Sequence, residues 1–215
     1  MQERMARSGS DLDRRIEHWG HGLSLLHTPG DWLLGIGLGR LPASYAREVP
    51  DGGFSGRVTW GRDGDASAGR RYVSIAGPAG DQDLGGLFGL TQRVRLVPGS
   101  AYRVAMDVRS RADAIVYVRI CERHLIYDGD CQGGALRIRP SDAGWQRVVM
   151  PLRGDLVTGG TPMAPRFGVF SLSVVTPDVA SDFSNVRLIG PQNSDVLANG
   201  DFTQGLARWL PVAQT

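Results

Sequence analysis

Four aromatic residues, Trp60, Tyr72, Tyr117 and Tyr127, stand in strand or loop positions flanked by Arg, Asp or Gly. An exposed ring offers an apolar face to pyranose C–H groups, and polar neighbours bind the hydroxyls. These four are the candidate ligand-binding residues. Other chemistry finds weaker footing. Asp63 with Asp65, and Asp128 with Asp130, sit beside glycines and read as turn residues. A glycosidase needs a carboxyl group whose pKa is raised by an apolar pocket, and no acidic residue has such surroundings. Gly64-Asp-Ala-Ser67-Ala-Gly69 lacks the glycine two residues before the serine that a nucleophile elbow requires. Gly35, Gly37 and Gly39 alternate, whereas a dinucleotide fingerprint needs Gly-x-Gly-x-x-Gly between a strand and a helix. His18 and His21 are three apart on a helical pattern and lack a third ligand at matching spacing. No catalytic residue and no metal ligand is assigned.

Cys121 and Cys131 are the only cysteines. Strand-borne on either side of an Asp128-Gly129 turn, they can pair across a hairpin as a disulfide, which implies an oxidising compartment. The alternative is two unpaired, half-buried thiols. Two cysteines without a Cys-x-x-Cys cannot make a four-ligand zinc site.

Composition bounds the partners. All basic residues are arginine, and 24 of them against 22 acidic residues leave a net charge of +2 with no basic block. Nucleic acid is excluded on that ground. No apolar run reaches the roughly 18–20 residues that span a bilayer. The first eight residues are polar and read as linker rather than signal peptide.

The elements that must position these residues follow from periodicity. Leu12, Ile16, Trp19, Leu23 and Leu26 form one apolar stripe at helical spacing. A helix is expected over 10–28, capped by Ser10 and ended by Thr28-Pro29-Gly30. From Phe54 the period becomes two. Val94 and Leu96 alternate with Arg93 and Arg95, Pro98-Gly99 turns, and Tyr102, Val104, Met106 and Val108 share a face, which reads as a β-hairpin. Ala114 to Ile120, Trp145 to Leu152, Phe167 to Val175 and Phe183 to Ile189 follow as strands. Trp145, Phe167 and Phe170 are expected in the core. Thirty Gly and twelve Pro punctuate these short segments. The pattern is that of an all-β, jelly-roll β-sandwich with an N-terminal α-helical extension.

The order of elements from Gly56 to Ile189 resembles the jelly-roll carbohydrate-binding modules of galactose-binding-like architecture. The resemblance rests on Leu96-Val-Pro-Gly-Ser-Ala-Tyr102, Gly144-Trp145-Gln-Arg-Val and Phe183-Ser-Asn-Val-Arg-Leu188. It also rests on Asn199-Gly200-Asp201-Phe202 with Gly205-Leu206 and Trp209, which resembles such a module's opening strand. That motif stands at the chain's far end, and its equivalent before Phe54 is absent. Either it opens a second, truncated sandwich, the reading its place in the chain favours, or it folds back to supply the first sandwich's missing strand. Ser184 and Asn185 occupy positions where the family often carries the acidic ligands of a structural calcium ion, which neutral oxygens hold less well.

Arg15-Ile-Glu-His-Trp19 and Trp32-Leu-Leu-Gly35-Ile-Gly37-Leu-Gly39 through Tyr45 resemble part of the large periplasmic loop of O-antigen ligase and polymerase-like membrane proteins. That resemblance implies that Arg15 engages the pyrophosphate of a lipid-linked glycan donor, for which a guanidinium suits. The bland reading of Arg15 is a solvated helix-face charge.

The chain thus divides into a helical segment over 1–47, a sandwich over 48–190, and 191–215 as the start of a second module or a closing strand. The expected function is non-catalytic binding of a bacterial glycan or polysaccharide, without a cofactor. The expected location is periplasmic or extracellular, tethered to the membrane-embedded remainder of the same protein. The alternative is a structural or protein-contact sandwich that binds no glycan.

Overall fold

A computed structural model describes residues 56–214, apart from 65–68, 79–86, 125–126, 142–143, 156 and 162. Of the first 55 residues it describes Ile16, 19–36, Ser44 and Glu48. The chain divides into two compact units, residues 1–54 and 55–215.

In the first unit residues 19–24 are helical, and the residues expected to end that helix begin another. Helix α1 (Pro29–Leu34) has Thr28 as its N-cap. The Thr28 hydroxyl accepts from the Asp31 amide (3.1 Å), and the Asp31 carboxylate accepts from the Thr28 amide (2.9 Å). A capping threonine followed by proline is a helix-start signal, and it prevails here over the helix-breaking use of proline. Leu25 is buried, but Ile16, Trp19, Leu23, Trp32, Leu33 and Leu34 are exposed. Of the expected apolar stripe, Ile16, Trp19 and Leu23 therefore lie at the surface. Ser10, Leu12, Arg15, His18, Gly37, Gly39 and Tyr45 lie outside the described residues.

The second unit is an all-β sandwich. One sheet has the order β1 (Arg57–Arg62), β2 (Arg71–Ala76), β12 (Ala180–Ile189), β4 (Arg103–Ser110), β7 (Gln146–Pro151). The other has the order β13 (Leu210–Gln214), β3 (Leu87–Val94), β11 (Phe167–Val174), β5 (Ala114–His124), β6 (Tyr127–Ile138), β8 (Arg153–Gly154). Within these sheets every pairing is antiparallel. A small separate ladder joins β9 (Gly160–Thr161) to β10 (Ala164–Pro165). Alternation drives the assembly: Val104, Met106 and Val108 of β4, Val116, Val118 and Ile120 of β5, and Phe170, Leu172 and Val174 of β11 are all fully buried. At roughly 25 cal/mol per Å² of apolar surface, these inward rows supply the main driving force for pairing the sheets.

Three local expectations change. The segments around Pro98-Gly99 are not a hairpin: β3 and β4 belong to opposite sheets. The turn is a corner between layers, pinned by Gly99 N–H to Val157 O (2.8 Å) and by Val97 N–H to the Tyr102 hydroxyl (2.7 Å). Period two places residues on faces and cannot state which sheet a strand joins. Asp128-Gly129 is not the turn between the cysteines, because both residues lie within β6, and β5 pairs as far as His124 with Tyr127. Cys121 and Cys131 are register partners and form a disulfide. Finally, Phe170 is core, but Trp145 and Phe167 are only half-buried, and Phe167 carries Arg93 over its ring at 4.8 Å.

The Asn199-Gly-Asp-Phe202 segment packs on this same sandwich. Phe202 is fully buried and Trp209 nearly so, their ring centroids 5.5 Å apart, with Phe170 edge-on to Trp209 at 5.9 Å. Each motif residue has a physical task. The Asn199 side chain donates to Gly205 O and Ala207 O and accepts from Gln204 N–H, which holds the turns of 203–208 together. The Trp209 indole donates to Asn199 O (3.0 Å). Gly200 lies so close to β12 that a Cβ would stand 1.8 Å from Val186 O, to leave room for the Val186 N–H to Gly200 O bond (2.8 Å). Strand β13 then pairs with β3. We expect Phe202→Ala and Trp209→Ala each to cost about 3–5 kcal/mol in urea unfolding of the full chain, and deletion of 196–215 to abolish the cooperative transition. A truncated chain that melts cooperatively with unchanged stability would show that the segment is dispensable.

Candidate functional site

The outward side of the five-stranded sheet carries a transverse row of polar side chains. Thr59 is the register partner of Ser74, Ser74 of Asp182, and Asp182 of Arg109. Because side chains alternate, residues whose neighbours fill the core must present their own groups here. Arg109 is the hub. Its Nε donates to Asp182 (2.7 Å), and its two terminal nitrogens donate to the two oxygens of Asp63 (2.6 and 3.0 Å). Asp63 also accepts from the Trp145 indole (2.9 Å). Partial burial works against ionising Asp63, but these bonds and the charge of Arg109 outweigh it, so its carboxyl lies below its usual value. Burial likewise opposes the charge of Arg109, and its two aspartates raise its pKa further despite that.

Aromatic rings border the hub. Tyr72 and Trp145 meet edge to face at 5.8 Å, and Arg109 lies 4.9 Å from the Tyr72 centroid and 4.6 Å from that of Trp145. Arg70 lies 5.1 Å from the Trp145 centroid. Tyr72 lies across Gly61, where a Cβ would stand 2.7 Å from the ring. Together Trp60, Asp63, Tyr72, Arg109, Asp182 and Ser141 line a groove of about 760 Å³. The Trp60 ring is about half exposed and its indole N–H is held by Phe202 O (3.1 Å).

Of the four aromatic candidates, Trp60 and Tyr72 both line this groove, but Tyr72, opposite Gly61, is on the outward side, whereas Trp60, the register partner of buried Val73, turns its ring inward to Phe202. Tyr117 lies on the outward side of β5 in the other sheet, and Tyr127 is exposed at the far end of the β5–β6 hairpin. Neither joins them. Asp63, read from the sequence as a turn residue, is a member of the hub, and Arg109, Asp182 and Trp145 were not singled out as site residues. The signal for Arg109 is in the alternation: Arg103, Asp107 and Arg109 are the charged positions of a strand whose Val104, Met106 and Val108 are core. Its partners Asp63 and Asp182 are 46 and 73 residues away in sequence, and nothing local announces them.

The calcium position is occupied by other chemistry. Ser184 donates its hydroxyl to Arg71 O (2.7 Å), and Asn185 donates its amide to Asp107 (2.6 Å). Arg147 (3.0 Å) and Arg70 (3.3 Å) already neutralise Asp107. This donor set does not fit a divalent cation, which wants oxygens facing inward and no competing guanidinium. The one trio of metal-ligand types close enough to share an ion, among the described residues, is Cys121, Asp128 and Cys131, whose two sulfurs are bonded to each other.

A second polar cluster serves the fold. A bulge after Cys121 accompanies the burial of Glu122, whose side chain is 3% exposed. It accepts from the amides of Thr158 (2.9 Å) and Gly159 (2.5 Å), the Thr158 hydroxyl (3.0 Å) and Arg166 (3.3 Å). Burial disfavours its charge, but these donors more than compensate, and its pKa is lowered.

No family model matches this chain, and no curated protein matches it. Similar solved structures include the carbohydrate-binding module of PbXyn10C, at 13% identity over 70% of this chain and 86% of that one, TM-score 0.47. Another is the family 11 carbohydrate-binding module of the cellulosomal cellulase Lic26A-Cel5E of Clostridium thermocellum, at 15% identity over 63% and 82%, TM-score 0.40. A cyclase from Fischerella sp. TAU is also among them, at 17% identity over 66% and 78%, TM-score 0.38.

The lowered carboxyl groups set an acid limit. Their stabilisation is complete above the unfolded carboxylate values of about 4 and is lost as pH falls through the lower folded values. Urea midpoints should be flat above about pH 5 and fall below about pH 4. Glu122→Gln should cost about 1–3 kcal/mol at neutral pH and shallow the acid fall. A variant as stable as the parent, with the same acid profile, would refute the assignment.

Proposed function

We propose that this domain binds a glycan in the groove on the five-stranded sheet and does no chemistry on it. The observation that carries the reading is the Asp63–Arg109–Asp182 hub bordered by the Tyr72 ring on the outward side of the sheet. A saccharide presents paired hydroxyls and an apolar C–H face. The hub supplies carboxylate lone pairs and remaining guanidinium N–H groups in fixed positions, so little ordering is needed on binding. Tyr72, laid across Gly61 on the same side, offers the apolar ring surface.

The compartment is proposed to be periplasmic or extracellular, in keeping with the Cys121–Cys131 disulfide. No helix among the described residues is long and apolar enough to cross a membrane. In the wider proposal, the resemblance around Arg15 and 32–45 makes the domain part of an O-antigen ligase-like protein, whose membrane-embedded remainder handles a bacterial surface polysaccharide. Arg15 is there proposed to engage the donor's pyrophosphate.

A second reading, a structural or protein-contact sandwich, draws on the Arg109 guanidinium lying against both Tyr72 and Trp145, where it competes with a sugar for their faces. Glycan-array screening followed by calorimetry on the full chain separates the two. The binding reading expects a saccharide hit whose affinity falls at least tenfold in Tyr72→Ala, about 1.4 kcal/mol or more, and in Asp182→Asn, with thermal unfolding retained. Absence of any saccharide hit, or hits indifferent to both substitutions, would favour the structural reading.

A further inference from the structure

The segment that closes the sandwich carries a reactive dipeptide at its first turn. Of the chain's three asparagines, Asn185, Asn193 and Asn199, only Asn199 is followed by glycine. The backbone nitrogen after an asparagine can attack that side chain's Cγ, and a glycine there, with no Cβ and wide conformational freedom, leaves the approach unhindered. Val186 after Asn185 and Ser194 after Asn193 both carry side chains that crowd it.

In the closed domain the groups this reaction uses are all occupied. Asn199 Nδ2, the leaving group, donates to Gly205 O (3.0 Å) and Ala207 O (2.8 Å), and Oδ1 accepts from the Gln204 amide (3.1 Å). Three bonds thus fix the plane of the carboxamide. The Gly200 peptide is clamped as well. Its carbonyl accepts from Val186 N–H (2.8 Å), and the residue lies so close to β12 that even a Cβ would stand 1.8 Å from Val186 O. The Trp209 indole holds Asn199 O (3.0 Å). Ring closure expels Nδ2, so it must break both of that atom's bonds.

We propose that Asn199 is a deamidation site gated by this closure, inert while residues 199–209 lie on the sandwich and converted once they open. The Gly200 nitrogen gives up its proton to solvent and bonds to Asn199 Cγ, the Cγ–Nδ2 bond breaks, and Nδ2 leaves with that proton as ammonia. Water then opens the imide at either carbonyl and leaves aspartate or isoaspartate. Neither product recloses as before. A carboxylate has no N–H for Gly205 O and Ala207 O and sets its charge against their lone pairs. Isoaspartate also lengthens the main chain by one carbon beside the residues that seat Phe202. An opening of the domain is thereby recorded irreversibly at the residue on which its closing segment turns. The site uses no groove residue and stands apart from the glycan reading.

The test is peptide mapping by mass spectrometry of the full chain held at mildly alkaline pH, folded in buffer or unfolded in guanidinium chloride. In the unfolded chain Asn199 should gain about one dalton several-fold faster than Asn193, and at least tenfold faster than Asn199 does in the folded chain. Trp209→Phe, which keeps a ring and drops the bond to Asn199 O, should raise the folded-state rate at Asn199 at least threefold and leave Asn193 unchanged. Asn199→Asp should lower the thermal midpoint by about 4 °C or more. Equal rates at Asn199 in the folded and unfolded chains overturn the proposal. So does an unfolded chain in which Asn199 is no faster than Asn193, a folded-state rate indifferent to Trp209→Phe, or an Asn199→Asp chain that melts with the parent.

Discussion

Closure of the space between the two sheets by Phe202 and Trp209 is the interaction on which the rest of this domain depends. The two rings, with Phe170, fill one region of the apolar interior, and their backbone is fastened to both layers. Val186 of β12 donates to Gly200, and Gln92 of β3 exchanges two hydrogen bonds with Ala198. Arg71 of β2 donates to Thr203 O, and Trp60 of β1 donates to Phe202 O. Buried aromatic surface supplies the driving force, and satisfied backbone groups keep its burial from being offset by lost hydration.

Charge organises the surface in a complementary way. Cross-strand pairs such as Asp182 with Arg109 and Asp107 with Arg147 sit directly opposite one another in register. Opposite charges so placed stabilise the pairing and penalise a slip of one residue, which would bury them. With every cation an arginine, each pair can be a planar, multiply bonded contact. The Asp63–Arg109–Asp182 hub is thus at once a device for register and a preorganised set of polar groups. Glu122 shows the same chemistry turned inward, where a complete set of donors makes a buried carboxylate compatible with the fold.

The first unit is built from different signals. Thr28 and Pro29 start a helix by satisfying free amide groups and fixing φ, and its large apolar residues remain at the surface. Among its described residues the alternation that governs residues 57–189 has no counterpart.

Which residues face inward was written in the sequence. The alternation of Tyr102, Val104, Met106 and Val108 with polar neighbours, and the apolar run of 167–174, follow from side-chain geometry in an extended chain. The capacity of Cys121 and Cys131 to pair was also legible, because both lie on strands a short loop apart. Only the tertiary structure decided that β3 and β4 part into opposite sheets at Pro98-Gly99, and that Trp145 leaves the core to bond Asp63. It alone placed 199–214 against this sandwich, and it alone drew Asp63, Arg109 and Asp182 into one hub. The physical reason is the same in each case. Local periodicity fixes the face a side chain takes, whereas its partner is chosen by long-range packing and charge pairing across tens of residues, which no local pattern encodes.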